Sequence, residues 1–348
     1  MARNMKEANM RIFSMLRNYV EDYVKENKKD THPEGLYIRT NNKDKDKEWL
    51  KHIKIVTKEI CILPSLKTAM FTFKDKHYFV VVGLASDIPF NNEVLSKIDM
   101  NAGIYTALLS DSEIKIRKGT QPVDIYNILL LVEGRKYKGS KYEGHDLDDI
   151  LPYFEPVSVY EIKEQSPIDS KDIYRISGLF IVDNKENVSL SYSDDSLTIY
   201  RTIFLEGSDR IPIENITFSL VAVKWQHSFL DIYRCIESLF SIVYLDKLYS
   251  GLKIEDKFMK FVEIFEHEIG WKPKEEDAIR SIFKEMDDKI ILKDARCFYN
   301  IRNQIVHLRA LNKENIIDKF KDEDWDSLIY ITLLLVKEIY GKYENRLM

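Results

Sequence analysis

The chain has 348 residues, of which 45% are hydrophobic, so it is long enough to form two domains with real cores. Its 57 acidic residues slightly outnumber its 52 basic residues and leave a formal net charge of −5. That balance argues against a general duplex-DNA binder, which usually presents a basic face, but it leaves room for RNA in a local positive groove.

The N-terminus and the cysteines predict a cytoplasmic protein. The first residues, "MARNMKEANMRIFSML", lack a long apolar run, so no signal peptide is expected. The most apolar stretch, "SLIYITLLLVKEIY", is interrupted by Lys337 and Glu338 and is too short to span a bilayer, so no membrane contact is expected. Cys61, Cys235 and Cys297 are widely separated and form neither a metal pattern nor a disulfide framework, which favours a reducing compartment.

The first third of the chain predicts helices and then strands. Residues 1–30 form a first helix, because "MRIFSMLRNYVEDYV" places apolar side chains at helical spacing. After a polar stretch, "KDKDKEWLKHIKIVTKEICI" predicts a second amphipathic helix. The segment "KTAMFTFKDKHYFVVVGLA" then predicts two strands around a turn at Lys74–His77, and "IYTALLSDSEIKIRKG" predicts another pair around Ser110–Ser112.

The second half of the chain changes character at about residue 220. Before that point, "ISGLFIVDNKENVSLSYSDDSLTIYRTIFL" alternates strand-like runs with turn residues. After it, strand signals stop and five helices are predicted: "WQHSFLDIYRCIESLFSIVYLDKLYS", "EDKFMKFVEIFEHEI", "GWKPKEEDAIRSIFKEMDD", "LKDARCFYNIRNQIVHLRAL" and "DWDSLIYITLLLVKEIYGKYENRL". The sequence therefore predicts an α+β protein with an N-terminal helix over 1–30, a mixed α/β domain over 31–220 and a helical bundle over 221–348.

The fourth bundle helix carries polar residues among its apolar ones. On a helical wheel Phe298, Ile301, Ile305 and Leu308 form the core stripe. Asn303 and His307 lie four residues apart on the opposite side, and Arg302 lies on the flank, where its long stem can reach round. Tyr299 and Val306 are apolar residues beside this polar pair, which predicts a protein interface with a site in it. On spacing alone, an exposed helix face with ordinary polar residues explains the pattern better.

The surrounding residues strengthen the functional reading. The run "RNQIVH" resembles the Arg-polar-x-x-x-His signature of the HEPN superfamily, with Arg302, Asn303 and His307 in the matching places. The first bundle helix, "FLDIYRCIESLF", is similar to the opening helix of the Apea-like HEPN group, with Tyr233, Arg234 and Glu237 matching. The resemblance covers residues 222–348.

The resemblance implies a metal-independent endoribonuclease that acts as a homodimer, uses no cofactor and commonly serves as a toxin or anti-phage defence effector. RNA carries its own nucleophile, the 2′-OH. His307 would move a proton, Arg302 would hold the phosphate, and Asn303 would orient His307 or bind RNA. The expected products are a 2′,3′-cyclic phosphate and a 5′-OH. Glu237, buried against Arg302 from a neighbouring helix, could position that side chain, and a structural salt bridge within the bundle is favoured over a direct catalytic role.

The region before the bundle faintly resembles a degenerate restriction-endonuclease-like core. The matching pieces are "FTFKDKHYFVVVGLASD" and "NAGIYTALLSDSEIKIRKG". Where that family carries Glu-x-Lys on its second strand, this chain has Gly83 and Ala85, so any such site is dead. The tripeptide Glu113–Lys115 has the spacing, but an exposed alternating strand explains it better. We therefore expect a sensing or regulatory domain with a partner or trigger that the sequence does not identify.

Other readings remain open at this point. The cluster "GHDLDD" is better explained by a helix N-terminus than by a metal site. For the whole chain, the alternatives to a ribonuclease are a non-catalytic HEPN module that dimerises or docks a partner, and a DNA-directed nuclease that uses the first domain. The missing Glu-x-Lys counts against the DNA nuclease.

Overall fold

The computed structural model describes residues 4–29, 35–40, 42–84, 91–112, 114–130, 135–138, 141–254, 257–286, 295–307 and 316–347. The chain forms two compact units, Met1–Ile173 and Tyr174–Met348. An antiparallel sheet lies in the first unit, and the regular elements described in the second are helices. The predicted α+β class is confirmed.

The elements of the first unit are α1 (Met5–Glu26), α2 (Lys43–His52), β1 (Lys54–Leu63), β2 (Leu66–Phe73), β3 (Lys76–Val82), β4 (Leu95–Lys97), α3 (Ala102–Asp111), α4 (Pro122–Leu130), β5 (Arg135–Lys138), β6 (Lys141–His145), α5 (Leu147–Ile150) and β7 (Val157–Ile162). Those of the second unit are α6 (Ile173–Asp183, which begins at the boundary), α7 (Lys185–Val188), α8 (Asp194–Glu206), α9 (Ile213–Leu220), α10 (Trp225–Glu237), α11 (Phe240–Leu252), α12 (Phe258–Glu263), α13 (Glu275–Lys284), α14 (Ala295–Val306) and α15 (Asp322–Tyr343).

The core of the first unit is one face of a five-stranded sheet packed against helices. The strand order is β1-β2-β3-β7-β4, and every neighbouring pair is antiparallel. The predicted hairpin β2–β3 is confirmed, and its two turn residues, Lys74 and Asp75, both have positive φ, as a tight type I′ connection requires. Alternate side chains such as Phe71 and Val80 share one buried cluster with Phe13 of α1.

The helix predicted over residues 43–62 is only half right. The helix ends at His52, and Lys54–Leu63 is an edge strand of the sheet. The β-branched residues Ile55, Val56 and Thr57 explain the change, because their side chains are restricted in a helix and fit a pleated sheet.

The strand pair predicted around Ser110–Ser112 is wrong. Ala102–Asp111 is a helix, and the side chain of Asn101 caps it by accepting a bond from the Ile104 N–H at 3.0 Å. Most of this helix is buried, so it shows no alternation of polar and apolar faces that would mark it as helical. Glu113 lies outside the described residues, and the Lys115 N–H donates to Glu155 at 3.0 Å.

The strands predicted between residues 176 and 205 are also wrong, because this segment forms α6 and α8. The turn residues of this segment include Ser193, which is in fact the N-cap of α8, and its hydroxyl accepts from the Ser196 N–H at 3.3 Å. The helical unit therefore begins at Tyr174, whereas the sequence interpretation placed the boundary at 220.

Helices α6 and α8 are held together by a close contact and a buried cation. A Cβ added to Gly178 would come within 2.2 Å of the ring of Phe204, so only glycine allows this approach. The guanidinium of Arg175, which is 3% exposed, donates to carbonyl groups at the end of α8, among them Ile203 at 3.1 Å and Gly207 at 2.9 Å. The Ile203 carbonyl also accepts from the Gly207 N–H at 3.0 Å, so the guanidinium adds a second donor there and ties the end of α8 to α6.

The later helices agree with the five that were predicted, with one difference. The first predicted helix is two, α10 and α11, separated at Ser238 and Leu239. The Ser238 hydroxyl donates to the Cys235 carbonyl at 2.8 Å, a local bond that competes with helical bonding. Helix α10 packs against α9 and α15, and α13 packs against α11 and α14. Within the described ranges, no helix combines the length and the apolar character needed to cross a bilayer.

Replacing Gly178 with alanine tests the helical packing of this corrected segment. The added methyl group has no room against Phe204, whose side chain is fully buried, so we expect a loss of about 1–3 kcal/mol in the free energy of unfolding. The control is Gly251→Ala in α11, where nothing lies within 4 Å and alanine should be neutral or slightly stabilising. Urea denaturation measures both, and equal stabilities would contradict the close approach.

Candidate functional site

Helix α14 carries the Arg-Asn-x-x-x-His run and is anchored by its aromatic residue. Phe298 is 1% exposed, and its ring centre lies 5.2 Å from that of Phe229 and 5.3 Å from that of Tyr233, both on α10. Ile301 is also buried, whereas Ile305 is only partly buried. Leu308, the fourth residue of the predicted core stripe, lies outside the described residues. The helix is therefore fixed mainly at its middle turns.

The side chain of Arg302 reaches round the helix and meets two carboxylates. Its Nη2 lies 3.0 Å from Oε1 of Glu237 at the end of α10, and its Nε lies 3.2 Å from Oε1 of Glu275 at the start of α13. Its Nη1 donates to Oδ1 of Asn303 at 3.0 Å. The structure contains the predicted contact between Glu237 and Arg302. This contact fits both a positioning role and a structural salt bridge.

Tyr233 also contacts these charged side chains. The Tyr233 hydroxyl donates to Oε1 of Glu275 at 2.7 Å, and the guanidinium carbon of Arg302 lies 5.9 Å from the centre of the Tyr233 ring. Tyr233 is 1% exposed, so its ring is fixed by packing. We call Tyr233, Glu237, Glu275, Arg302 and Asn303 the arginine cluster. It joins three helices, α10, α13 and α14.

In this cluster the arginine stays charged and the tyrosine stays neutral. Burial alone would lower the pKa of the Arg302 guanidinium, but the charge of Glu275 and the bond to Glu237 outweigh it and raise the pKa, so the arginine stays cationic. Burial raises the pKa of the Tyr233 hydroxyl, and the bond to Glu275 raises it further, so this tyrosine stays protonated. One cation therefore faces two carboxylates. The cluster has a formal charge of −1.

Asn303 and His307 lie on one side of α14, as the sequence predicts. The backbone N–H of His307 donates to the Asn303 carbonyl at 2.9 Å, so the helical bond pattern continues one residue beyond Val306. Residues four apart on a helix have Cβ atoms about 5–6 Å apart. Asn303 is half-buried, and His307 is exposed. The imidazole is accessible while the amide beside it is fixed by Arg302.

The two predicted interface residues differ in exposure. Val306 is 46% exposed on α14. Tyr299 is only partly exposed. An apolar side chain next to the polar pair is available on the surface at Val306, and Tyr299 contributes less.

Glu275 is the member of the cluster that sequence reasoning missed. It follows Pro273 and begins the acidic run "EED" in the first turn of α13, where acidic residues are common because they favour a helix N-terminus. The signal that could have found it is the Arg302 side chain itself. A half-buried guanidinium with one predicted carboxylate still needs partners for its other N–H groups.

The other sequence clusters do not add to this site. His145 is fully buried, where its ring nitrogens meet the Tyr142 hydroxyl at 2.7 Å and the Ile128 carbonyl at 2.8 Å. Asp146 is the N-cap of α5, as expected for a helix N-terminus, although its side chain forms no cap bond and instead meets Arg39 at 3.3 Å.

The predicted nuclease positions of the first unit carry no described acid–lysine pair. A Cβ on Gly83 would meet the Ser65 carbonyl at 2.2 Å, so this glycine has a backbone reason, while Ala85 lies outside the described residues. Among the residues that the structure describes, no group of three or more His, Cys, Asp or Glu side chains is placed to hold a metal ion. Burial raises the pKa of the Cys235 thiol to about 12, so this cysteine is not a nucleophile at neutral pH.

Searches of family models, of curated proteins and of solved structures gave no match to this chain.

Stability measurements distinguish the structural and exposed members of the site. Arg302→Ala leaves two carboxylates facing each other in a half-buried place, so we expect a loss of about 1–3 kcal/mol in the free energy of unfolding. His307→Ala removes an exposed side chain and should stay within about ±0.5 kcal/mol. Urea denaturation at pH 7 checks both, and a large loss for His307→Ala would make the histidine structural.

Proposed function

We propose that this protein is an endoribonuclease whose active site includes Arg302, Asn303 and His307 of α14. One observation carries the proposal. Two carboxylates hold the guanidinium of Arg302, and this guanidinium contacts the amide of Asn303. The exposed imidazole of His307 lies one turn further along the same helix. Such a fixed polar group beside an accessible imidazole suits proton transfer more than packing. The resemblance of these residues to the HEPN signature supports the same reaction.

The reaction needs a group that moves a proton, and the 2′-OH of RNA supplies the nucleophile. Imidazole titrates nearest to neutral pH among side chains, so His307 suits this role. The 2′-oxygen bonds to phosphorus while the imidazole takes its proton. The bond from phosphorus to the 5′-oxygen breaks, and a second imidazole gives that oxygen a proton. The products are a 2′,3′-cyclic phosphate and a 5′-OH.

The need for a second imidazole supports a homodimer. No other histidine of the chain matches the motif, so we assign the second proton donor to His307 of another copy of α14. Val306, exposed beside the polar residues, is the apolar side chain that such a contact would cover. The RNA would then lie across a composite site made by two motif helices.

The first unit would sense a trigger or bind a regulatory partner, and the activity would serve as a toxin or an anti-phage defence effector in the cytoplasm. The resemblance supports the biological role. All three cysteines are free, which fits a reducing compartment. The proposal uses no cofactor and no metal ion.

A specific observation favours the alternative, a HEPN-like module that dimerises or docks a partner without cutting RNA. The arginine cluster has two carboxylates for one guanidinium, and its formal charge of −1 repels a phosphodiester. An arginine committed in this way can be a purely structural link between helices. The first experiment below separates the two functions.

Incubation with total RNA in the presence of EDTA tests the proposed function. We expect the wild-type protein to cut RNA and leave 2′,3′-cyclic phosphate ends, and His307→Ala to lose cleavage by at least about 10²-fold while keeping its melting temperature. The control substrate is RNA with 2′-O-methyl riboses, which lacks the nucleophile. Inert wild-type protein would select the binding module, and magnesium-dependent nicking of DNA would select a DNA nuclease.

The dimer is tested by placing a charge at Val306. We expect sedimentation to show a dimer for the wild-type protein at micromolar concentration and a monomer for Val306→Glu, because a carboxylate loses its hydration in the contact at a cost of several kcal/mol. The matched control is Val223→Glu, at a valine that is 95% exposed just before α10. A wild-type monomer would contradict the composite site.

A further inference from the structure

Resting on the proposed function, we propose that Glu275, braced by Tyr233, is a positioning residue of the site: it holds the guanidinium of Arg302, which in turn fixes the amide of Asn303 so that its nitrogen faces outward and donates to the RNA. Sequence reasoning gave Glu275 no role. The proposal assigns the residue that contacts RNA, Asn303, and the three residues behind it.

The first step is the orientation of the guanidinium. Two contacts from different helices fix it, Nη2 to Glu237 at 3.0 Å and Nε to Glu275 at 3.2 Å. Because a guanidinium is planar, two contacts at different nitrogens set the plane and the direction of its third edge. Removing Glu275 would leave Glu237 as the one carboxylate that holds the guanidinium, and Nε would lose its acceptor, so the group that meets Asn303 would be held less firmly.

The second step is the bracing of Glu275. The Tyr233 hydroxyl donates to the same carboxylate oxygen that Arg302 contacts, at 2.7 Å, and the ring beneath is fully packed. Side-chain rotation of Glu275 therefore breaks two contacts at once. A buried tyrosine therefore holds the carboxylate, so no contact with RNA is required to place it.

The third step is the amide of Asn303. A guanidinium has donors only, so the group that meets Nη1 at 3.0 Å is the amide oxygen, Oδ1. No described residue accepts a bond from the amide nitrogen. Asn303 shares its side of α14 with His307, so we infer that the two N–H groups of the amide face that side. The complementary ligand is an acceptor, namely the phosphate or 2′-oxygen at the cleavage position.

This arrangement also resolves the charge problem of the site. Arg302 lies between two carboxylates and is poorly suited to meet a phosphate directly, whereas an amide is neutral and donates without desolvating a charge. Arg302 then acts through Asn303. Asn303→Asp separates these roles, because aspartate still accepts from Arg302 but has no N–H to offer.

The test compares cleavage by Glu275→Ala with cleavage by Glu276→Ala under single-turnover conditions. Glu276 is the next residue on α13, and among the described residues its carboxylate meets the exposed Arg280, at 3.0 Å, so the control removes the same charge from the same helix turn. We expect Glu275→Ala to cut about 10²-fold more slowly with RNA affinity unchanged or tighter, and Glu276→Ala to behave as wild type. Glu275→Met, which has a similar length and offers no oxygen acceptor, replaces the alanine variant if that variant fails to fold.

A double-mutant cycle shows whether Glu275 acts through Arg302. In an Arg302→Lys background, where the planar fork is already lost, Glu275→Ala should slow cleavage by less than about twofold. Equal losses in both backgrounds would overturn the proposal, and so would a Glu275→Ala rate equal to that of Glu276→Ala. We also expect Asn303→Asp to lose as much cleavage as Asn303→Ala, and an active Asn303→Asp would remove the donor role.

A spectroscopic measurement keeps the inference separate from the proposed function. We expect a protected Nε–H signal of Arg302 in ¹⁵N NMR spectra, assigned by its absence in Arg302→Lys, present in Glu276→Ala and lost in Glu275→Ala. If wild-type protein cuts no RNA, the proposed function fails, and this signal still decides the positioning. Its persistence in Glu275→Ala would overturn the inference even in an active enzyme.

Discussion

The guanidinium of Arg302 between Glu237 and Glu275 is the contact on which the candidate site depends. It joins the end of α10, the start of α13 and the middle of α14 through atoms 3.0–3.2 Å apart. Arginine suits this place because its planar fork meets acceptors from several directions at once and cannot lose its charge. The half-buried carboxylates and the guanidinium stabilise each other, since an unpaired charge in such a place costs several kcal/mol.

The same contact shapes the chemistry that the site can perform. An arginine held by two carboxylates is a poor first contact for a phosphate, but it is a firm support for a neighbouring amide. In the proposed function, the side of α14 that meets RNA would consist of Asn303, whose oxygen faces Arg302, and His307, which is exposed. If RNA is the substrate, as we propose, the charged residues of the cluster would support the site from within, and only neutral or titratable groups would meet the phosphate.

How much the sequence predicted depended on the surroundings of each element. Helices with one polar face, such as α1 and α13, could be read from their spacing, and so could the hairpin β2–β3 from its turn. Helices α3, α6 and α8 were interpreted as strands. The first two are buried around most of their surface, and the polar start of α8 resembles a turn. Hydrophobic periodicity arises where an element has one buried face and one exposed face. An element that is buried on most sides therefore gives no periodic signal.

For the candidate site, the sequence by itself determined which chemical groups share one helix face, because a spacing of four residues fixes Asn303 and His307 on the same side. It also offered Glu237 as a partner of Arg302. Only the tertiary structure decided that Glu275 and Tyr233 join them, since these residues lie on helices α13 and α10 and meet α14 through packing. Local spacing follows from backbone geometry, whereas contacts between residues far apart in the chain follow from how the buried faces of separate helices fit together.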